Sequence, residues 1–170
     1  IWHPEVLDAT AAIERALSCE AAGREFQKIT NSEGASFDAG LGIGVYGNSH
    51  SFIGRSAGTH FSQSCVLIAG KGDAMQRDYS FDSRRSLADL EPAEETGREA
   101  ARRTVRRLGA RKIKTAQLPV LLAPEVAKSL IGNLVGAISG SALYRNASFL
   151  KDALGEQLFP TWVNLTEYPH

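Results

Sequence analysis

The sequence is poor in the residues that build metal and redox sites. Its 170 residues include two cysteines, Cys19 and Cys65, and four histidines, His3, His50, His60 and His170. The cysteines stand far apart and match no zinc or redox spacing, so they read as two core thiols of a cytosolic protein. His50 and His60 fall in a strand-rich stretch with no third ligand beside them and read as surface or hairpin histidines. Net charge is lacking too: 19 Lys plus Arg balance 19 Asp plus Glu. No overall field therefore favours nucleic acid or an anionic membrane. No stretch reads as a signal peptide. The uncharged run over residues 129–144 is interrupted by Asn133 and three serines, and it is shorter than the ~20 apolar residues a membrane helix needs. Internal repeats and low-complexity tracts are absent. What remains, 43% hydrophobic and 22% charged residues, is the composition of a soluble domain with a core. The chain runs from Ile1 to His170 and reads as a single globular fragment, residues 1–170, from the interior of a longer protein.

Pro4 to Gly23 has the pattern of a helix, with Ala9, Ile13, Ala16 and Leu17 as its apolar stripe, Asp8 or Thr10 as cap and Gly23 near its end. Residues 29–84 hold most of the β structure. Asn31–Gly34 and Asn48–Ser49 are turn compositions, and Gly70-Lys71-Gly72-Asp73 is a hairpin signal. Between them, residues 42–47, 51–55, 56–69 and 75–82 read as short strands, and Val66-Leu67-Ile68 as the clearest buried segment. Such strands joined by tight turns predict an antiparallel meander. Gly40, Gly42, Gly44 and Gly47 are not a phosphate loop, because no Gly-Lys-Ser/Thr follows and the setting is strand. They mark bulges or close backbone approach. Ser49-His50 and Ser64-Cys65 have no assignable acid and make no triad.

A second helix is predicted over Glu91–Leu108. Pro92 suits its first turn, Glu94, Glu95 and Glu99 lie early, and Arg102, Arg103, Arg106 and Arg107 lie late, in accord with the helix dipole. Gly97, Ala100, Ala101, Thr104, Val105 and Leu108 form its buried stripe, and Gly109 ends it. The basic cluster continues through Arg111, Lys112 and Lys114, but the acidic half of the helix shares its face, so it reads as a solvated surface rather than a DNA-binding one.

The stretch from Leu118 to Gly140 organises the rest. Leu118–Ala123 suits a buried strand. Pro124 then fits a first helical position and Glu125 the positive end of the dipole. Val126, Leu130, Leu134 and Ile138 continue an apolar face, while Gly132, Gly136 and Gly140 form a ridge that predicts another backbone close by. Ser141–Leu150 reads as a loop and Gln157–Leu165 as a last strand broken at Pro160. The predicted fold is α+β: a mainly antiparallel sheet, with the Leu118 strand added, packed against long amphipathic helices at 91–108 and 125–140, plus the N-terminal helix.

The segment LLAPEVAKSLIGNLVGAISGSALYRNASFLKDALG resembles the TldD/PmbA family, and within it the PmbA (TldE) branch; ITNSEGASF, VYGNSH and MQRDYSF extend the resemblance along the chain. It covers the central part of the family's length. In the TldD branch the same strand-to-helix turn carries His-Glu-x-x-x-His, two zinc histidines around a general-base glutamate. Here the turn reads PEVAKS: Glu125 remains as a relic of the base, and Pro124 and Ser129 stand where the histidines would be. Neither replaces imidazole, and a base without metal-bound water has nothing to activate. The resemblance thus implies a metallopeptidase architecture without its own metal or cofactor. It implies a cytoplasmic heterodimer in which a TldD-type subunit supplies zinc, with peptides and short unfolded proteins as substrates and neither nucleic acid nor membrane as partner. The family's other name, modulator of DNA gyrase, implies the alternative of a regulatory protein-binding module.

Overall fold

The computed structural model describes residues 3, 5 and 8–168. They fall into two compact units, Ile1–Ile113 and Lys114–His170. The first is α+β. Helix α1 (Ala9–Arg24) leads into strands β1 (Ile29–Gly47), β2 (Ile53–Ala69) and β3 (Gln76–Arg84), and helix α2 (Ala93–Arg106) follows. The strands form one antiparallel sheet in the order β1-β2-β3.

β2 shows why this sheet has one dry face. Thr59, Phe61, Gln63, Cys65, Leu67 and Ala69 are all buried, and the residues between them are not, which is the period of two expected of a half-buried strand. Leu67 is fully buried; removing such a side chain from water is worth about 2 kcal/mol. Val66 and Ile68, expected beside it in the core, lie half-buried on the opposite face. Cys19 of α1 and Ala93, Ala100 and Ala101 of α2 complete the core with Cys65 and Leu67.

Most of the predicted α2 stripe is buried: Gly97, Ala100, Ala101 and Thr104 face inward, Val105 and Leu108 are half-buried, and Arg102, Arg106 and Arg107 face outward. The turn after it closes on Gly109 at φ +73°. Asp8 caps α1, its carboxylate accepting from the Ala11 amide at 2.8 Å. The α1 stripe, however, is not the expected one. Ile13 and Leu17 are exposed, and the helix buries Cys19, Ala22 and Gly23 instead. Contact with α2 decides this. A Cβ placed on Gly97 would lie 1.9 Å from the Cys19 carbonyl oxygen, and one on Gly23 would lie 2.8 Å from that of Gly97. The helices meet backbone to backbone, and only a face of small residues permits that approach. Residues 4, 6 and 7 of the expected helix lie outside the described residues.

The strands are longer than their turn signals suggested. Asn31–Gly34 is not a turn but a bulged section of β1, with register shifts at Ile29/Asn31 and Ser32/Gly34 and Gly34 at φ +108°. The glycine permits the bulge, so the chain bends without leaving the sheet. Residues 51–55 and 56–69 likewise belong to one strand from Ile53 onward. Beyond Phe61, where pairing to β3 stops, β1 and β2 continue as a two-stranded arm to the turn at Asn48. There the Asn48 side-chain oxygen accepts from the amides of His50 (3.0 Å) and Phe52 (3.2 Å).

The second unit holds α3 (Pro124–Ala137) and the short α4 (Gly140–Tyr144) in otherwise irregular chain. Several expectations are corrected here. Leu118–Ala123 forms no strand, and neither does Gln157–Leu165; apolar runs punctuated by Pro119 and Pro160 lack amide donors where a ladder would need them. The expected loop at 141–150 begins as helix, because the Ser139 hydroxyl caps it, accepting from the Ala142 amide at 3.4 Å. Finally, no described residue of α3 is buried, and Val126, Leu130, Val135 and Ile138 are at least half exposed. Gly132, Gly136 and Gly140 have no atom within 4 Å of a built Cβ, so the close backbone approach expected on that ridge is not made by the described residues.

Candidate functional site

The start of α3 carries the candidate site. Ala123 is its N-cap residue in extended conformation, with φ −62° and ψ 149°, and Pro124 is the first helical residue. The Ala123 carbonyl accepts from the amides of Val126 (2.9 Å) and Ala127 (2.8 Å), closing the first turn. Proline costs nothing at this place because its missing amide would have no partner inside the helix. Glu125 is exposed on this turn at the positive end of the helix. One turn on, the Ser129 hydroxyl donates to the Val126 carbonyl at 2.6 Å.

This donor set does not fit a catalytic zinc, which takes three nitrogen, sulfur or oxygen ligands and leaves one position open. Pro124 has no donor atom in its side chain. The Ser129 hydroxyl is turned back onto its own helix. Glu125 is the remaining ligand type in the turn. His50 lies at the tip of the β1–β2 arm, and His60 faces solvent on β2 opposite Gly40. Among the described residues, no group of three or more His, Cys, Asp or Glu side chains is placed to hold a metal. His170 lies outside the described residues.

Three arginines of the basic cluster, and Arg98 just before it, meet carboxylates on or beside α2. Arg102 pairs with Glu95 and with Glu99 (2.8 Å), Arg98 with Glu95 (3.2 Å), Arg103 with Glu99 (3.1 Å) and Arg107 with Asp78 (3.4 Å). Hydrogen bonds from Arg102 and Arg98 hold the Glu95 carboxyl below its usual range, and those from Arg102 and Arg103 do the same for Glu99. At these four arginines the positive charge is offset by a neighbouring carboxylate.

Sequence reasoning missed a polar network inside the first unit. The Gln63 side-chain oxygen accepts from Arg15 Nε at 2.7 Å, and its amide nitrogen donates to Thr96 Oγ1 at 2.7 Å and to the Glu91 carbonyl at 3.0 Å. Arg15 Nη2 also reaches that carbonyl at 2.7 Å, and Thr96 Oγ1 donates to Glu91 Oε1 at 2.6 Å. Asp82 Oδ2 accepts from the Glu91 amide at 2.9 Å and ties in β3. Gln63 and Thr96 are essentially inaccessible. The network ties α1, β2, β3 and the start of α2 together, a registering role rather than a catalytic one. Its signal in the sequence was slight: a glutamine in phase with Phe61, Cys65 and Leu67.

The sequence model of the PmbA/TldA metallopeptidase central domain matches residues 2–108, and that of the C-terminal domain of the same peptidases matches residues 115–170. The chain belongs to the PmbA/TldD family. It is 43% identical over 172 residues to the metalloprotease PmbA of Escherichia coli O157:H7, covering 100% of this chain and 38% of that protein. To the PmbA homologue of Haemophilus influenzae it is 37% identical over 171 residues, with the same coverage of 100% and 38%. The chain thus spans well under half the length of these curated relatives. Two crystal structures share the fold. A candidate modulator of a DNA gyrase from Thermotoga maritima aligns at TM-score 0.78 with 18% identity, covering 86% of this chain and 34% of that one. A candidate DNA gyrase modulator from Bacteroides thetaiotaomicron aligns at TM-score 0.77 with 26% identity, covering 86% and 33%. The family and the α+β fold anticipated from the sequence are both met. No helix among the described residues is long and apolar enough to cross a membrane.

Proposed function

We propose that this chain is part of the PmbA-type, metal-free subunit of a cytoplasmic two-subunit peptidase, whose TldD-type partner supplies the zinc. Substrates in this reading are peptides and short unfolded proteins, and the chain contributes subunit interface and cavity wall rather than reacting groups. The observation that carries the proposal is the start of α3. Membership of a metallopeptidase family leads one to look for a ligand pair one helical turn apart, and Pro124 and Ser129 offer neither imidazole nor thiolate. Glu125 remains as a helix-favouring first-turn acid.

The test is peptide cleavage by the full-length protein alone, by a TldD-type protein alone and by the two together. Cleavage is expected to require the TldD-type chain, and the purified protein alone is expected to hold no stoichiometric zinc. Zinc at one per chain in the protein alone, lost on Glu125→Ala, would overturn the reading of this turn. The alternative, regulation of DNA gyrase through protein contact, predicts co-purification with gyrase and unchanged peptide turnover when the protein is omitted from the mixture.

A further inference from the structure

The arm of the first unit is an exposed ribbon with one unguarded edge. β1 and β3 are the edges of the sheet. Strand edges that stay unpaired carry charge, proline or bulges that blunt them. β3 is blunted by Arg77, Asp78 and Arg84. β1 is blunted over its first half by Glu33, Asp38 and the register shifts at Ile29/Asn31 and Ser32/Gly34. From Ala39 to Gly47 it carries no charge, no proline and no bulge. Among the described residues, no strand pairs with its outer side. Leu41, Ile43 and Val45 line one face of this stretch and are 63%, 71% and 68% exposed. Gly40, Gly42 and Gly44 line the other. A two-stranded ribbon is marginally stable by itself in water, and a further strand along this edge would complete it.

We propose that the occupant of this edge is a second copy of the chain, the two β1 strands pairing antiparallel about a two-fold axis through Ile43 into a four-stranded ribbon, β2-β1-β1-β2. The sequence of the arm matches itself in that register. On the apolar face Ile43 meets its own counterpart and Leu41 meets the second copy's Val45, so the row of exposed side chains becomes continuous across the axis. On the other face Gly42 meets Gly44. Tyr46, itself 63% exposed, lies across from Gly40, an aromatic ring covering a cross-strand glycine. A Cβ built on Gly42 meets nothing within 4 Å, and one on Gly40 meets only the His60 carbonyl oxygen at 3.9 Å. Packing inside the chain therefore does not require these two glycines, and their face is clear for a neighbour. At each end of the pairing Asp38 faces Asn48, so no like charges are brought together. A peptide of arbitrary sequence lacks this self-match. The pairing is separate from contact with a TldD-type chain, and its test uses neither zinc nor peptide cleavage.

Sedimentation of the purified full-length protein, without a TldD-type chain, tests this. The protein is expected to be a dimer at micromolar concentration. Ile43→Lys and Ile43→Glu are each expected to be monomers, because the axis sets two like charges against each other. Both are expected to keep the circular dichroism of the parent, since residue 43 is exposed. An equimolar mixture of the two variants is expected to recover the dimer. Cross-linking reads the register. Directly opposed residues on antiparallel strands have Cα atoms ~4.5–5.5 Å apart, within disulfide reach. Ile43→Cys is therefore expected to oxidise to a covalent dimer. Leu41→Cys is expected to do so when mixed with Val45→Cys and not alone. The native thiols Cys19 and Cys65 are buried and stay out of this reaction. A dimer that Ile43→Lys leaves intact, or a Lys–Glu mixture that stays monomeric, would overturn the proposal. So would a monomeric parent protein whose residues 39–47 gain hydrogen-exchange protection only from an added uncharged threonine–valine peptide.

Discussion

The two units carry similar instructions in sequence and carry them out differently. Each sets glycines on helices with small or apolar residues alongside. In the first unit the glycines are used: Gly23 and Gly97 let α1 and α2 touch through their backbones, and among the described residues of that unit ten hydrophobic ones are buried. In the second, Gly132 and Gly136 look onto open space, and none of the described residues is buried. A glycine ridge or an apolar stripe therefore states a requirement for a close neighbour. It does not say which surface meets it. Where α1 and α2 supply each other's neighbour the requirement is met locally, and the same helical period in α3 produces a regular helix with an exposed face.

The sharpest test of that contrast is one substitution made twice. At Gly97 a methyl group would sit 1.9 Å from a main-chain oxygen, which cannot turn aside as a flexible side chain would. Gly97→Ala is expected to cost about 3 kcal/mol or more, the upper end of overpacking effects. Gly132→Ala meets nothing, and alanine stabilises a helix interior by about 1 kcal/mol over glycine. Urea unfolding followed by far-ultraviolet circular dichroism separates the two. A neutral Gly97→Ala would mean that α1 and α2 do not meet as described.

A second pair of substitutions inverts the usual expectation that apolar residues matter more than polar ones. Gln63→Ala leaves Arg15 and Thr96 with fewer partners in a site closed to water, and is expected to cost roughly 2–3 kcal/mol. Leu121, fully exposed in the second unit, is expected to tolerate serine within about 0.5 kcal/mol. Chemical denaturation of both variants checks the order. Equal costs would remove the distinction between the units.

Legibility in the sequence follows the same division. The α2 stripe was readable because its apolar and small residues recur at helical spacing with charges arranged along the dipole, and each residue's environment depended mostly on its own helix. The sheet was readable as antiparallel but not in strand length, since Asn31–Gly34 can make either a turn or a bulge and only pairing with β2 chooses the bulge. The α1 face was misread because hydrophobicity favoured Ile13 and Leu17, whereas the decisive quantity was the space left by Gly97, which belongs to another helix. Gln63 was invisible for a related reason: a buried amide is acceptable only when partners arrive from three other elements. At the candidate site, the absence of a histidine pair was legible from six residues, because it depends on side-chain chemistry and not on packing. The strand expected before it was not, as composition alone does not provide a neighbouring strand.

The smallest expected effect is electrostatic and concerns the carboxylate ladder of α2. Arg102 bonds hold Glu95 and Glu99 below the usual carboxyl range, and Arg77 does the same for Glu33 on β1. A folded-state value lower than the unfolded one means that the folded chain binds fewer protons over that interval. The stabilisation is then complete above the unfolded value of about 4.3 and is lost as the pH falls through the lower folded values. These pairs are largely exposed, and exposed pairs contribute little because solvent screens them. The expected outcome is a modest decline in melting temperature as the pH is lowered from about 5 to about 3. Part of that slope is expected to disappear in Arg102→Gln and to shrink in about 1 M salt, where the screening length is about 3 Å. An acid limb unchanged by Arg102→Gln would move it from the α2 ladder to the sheet, where Glu33, held below the usual range by Arg77, is the next to test.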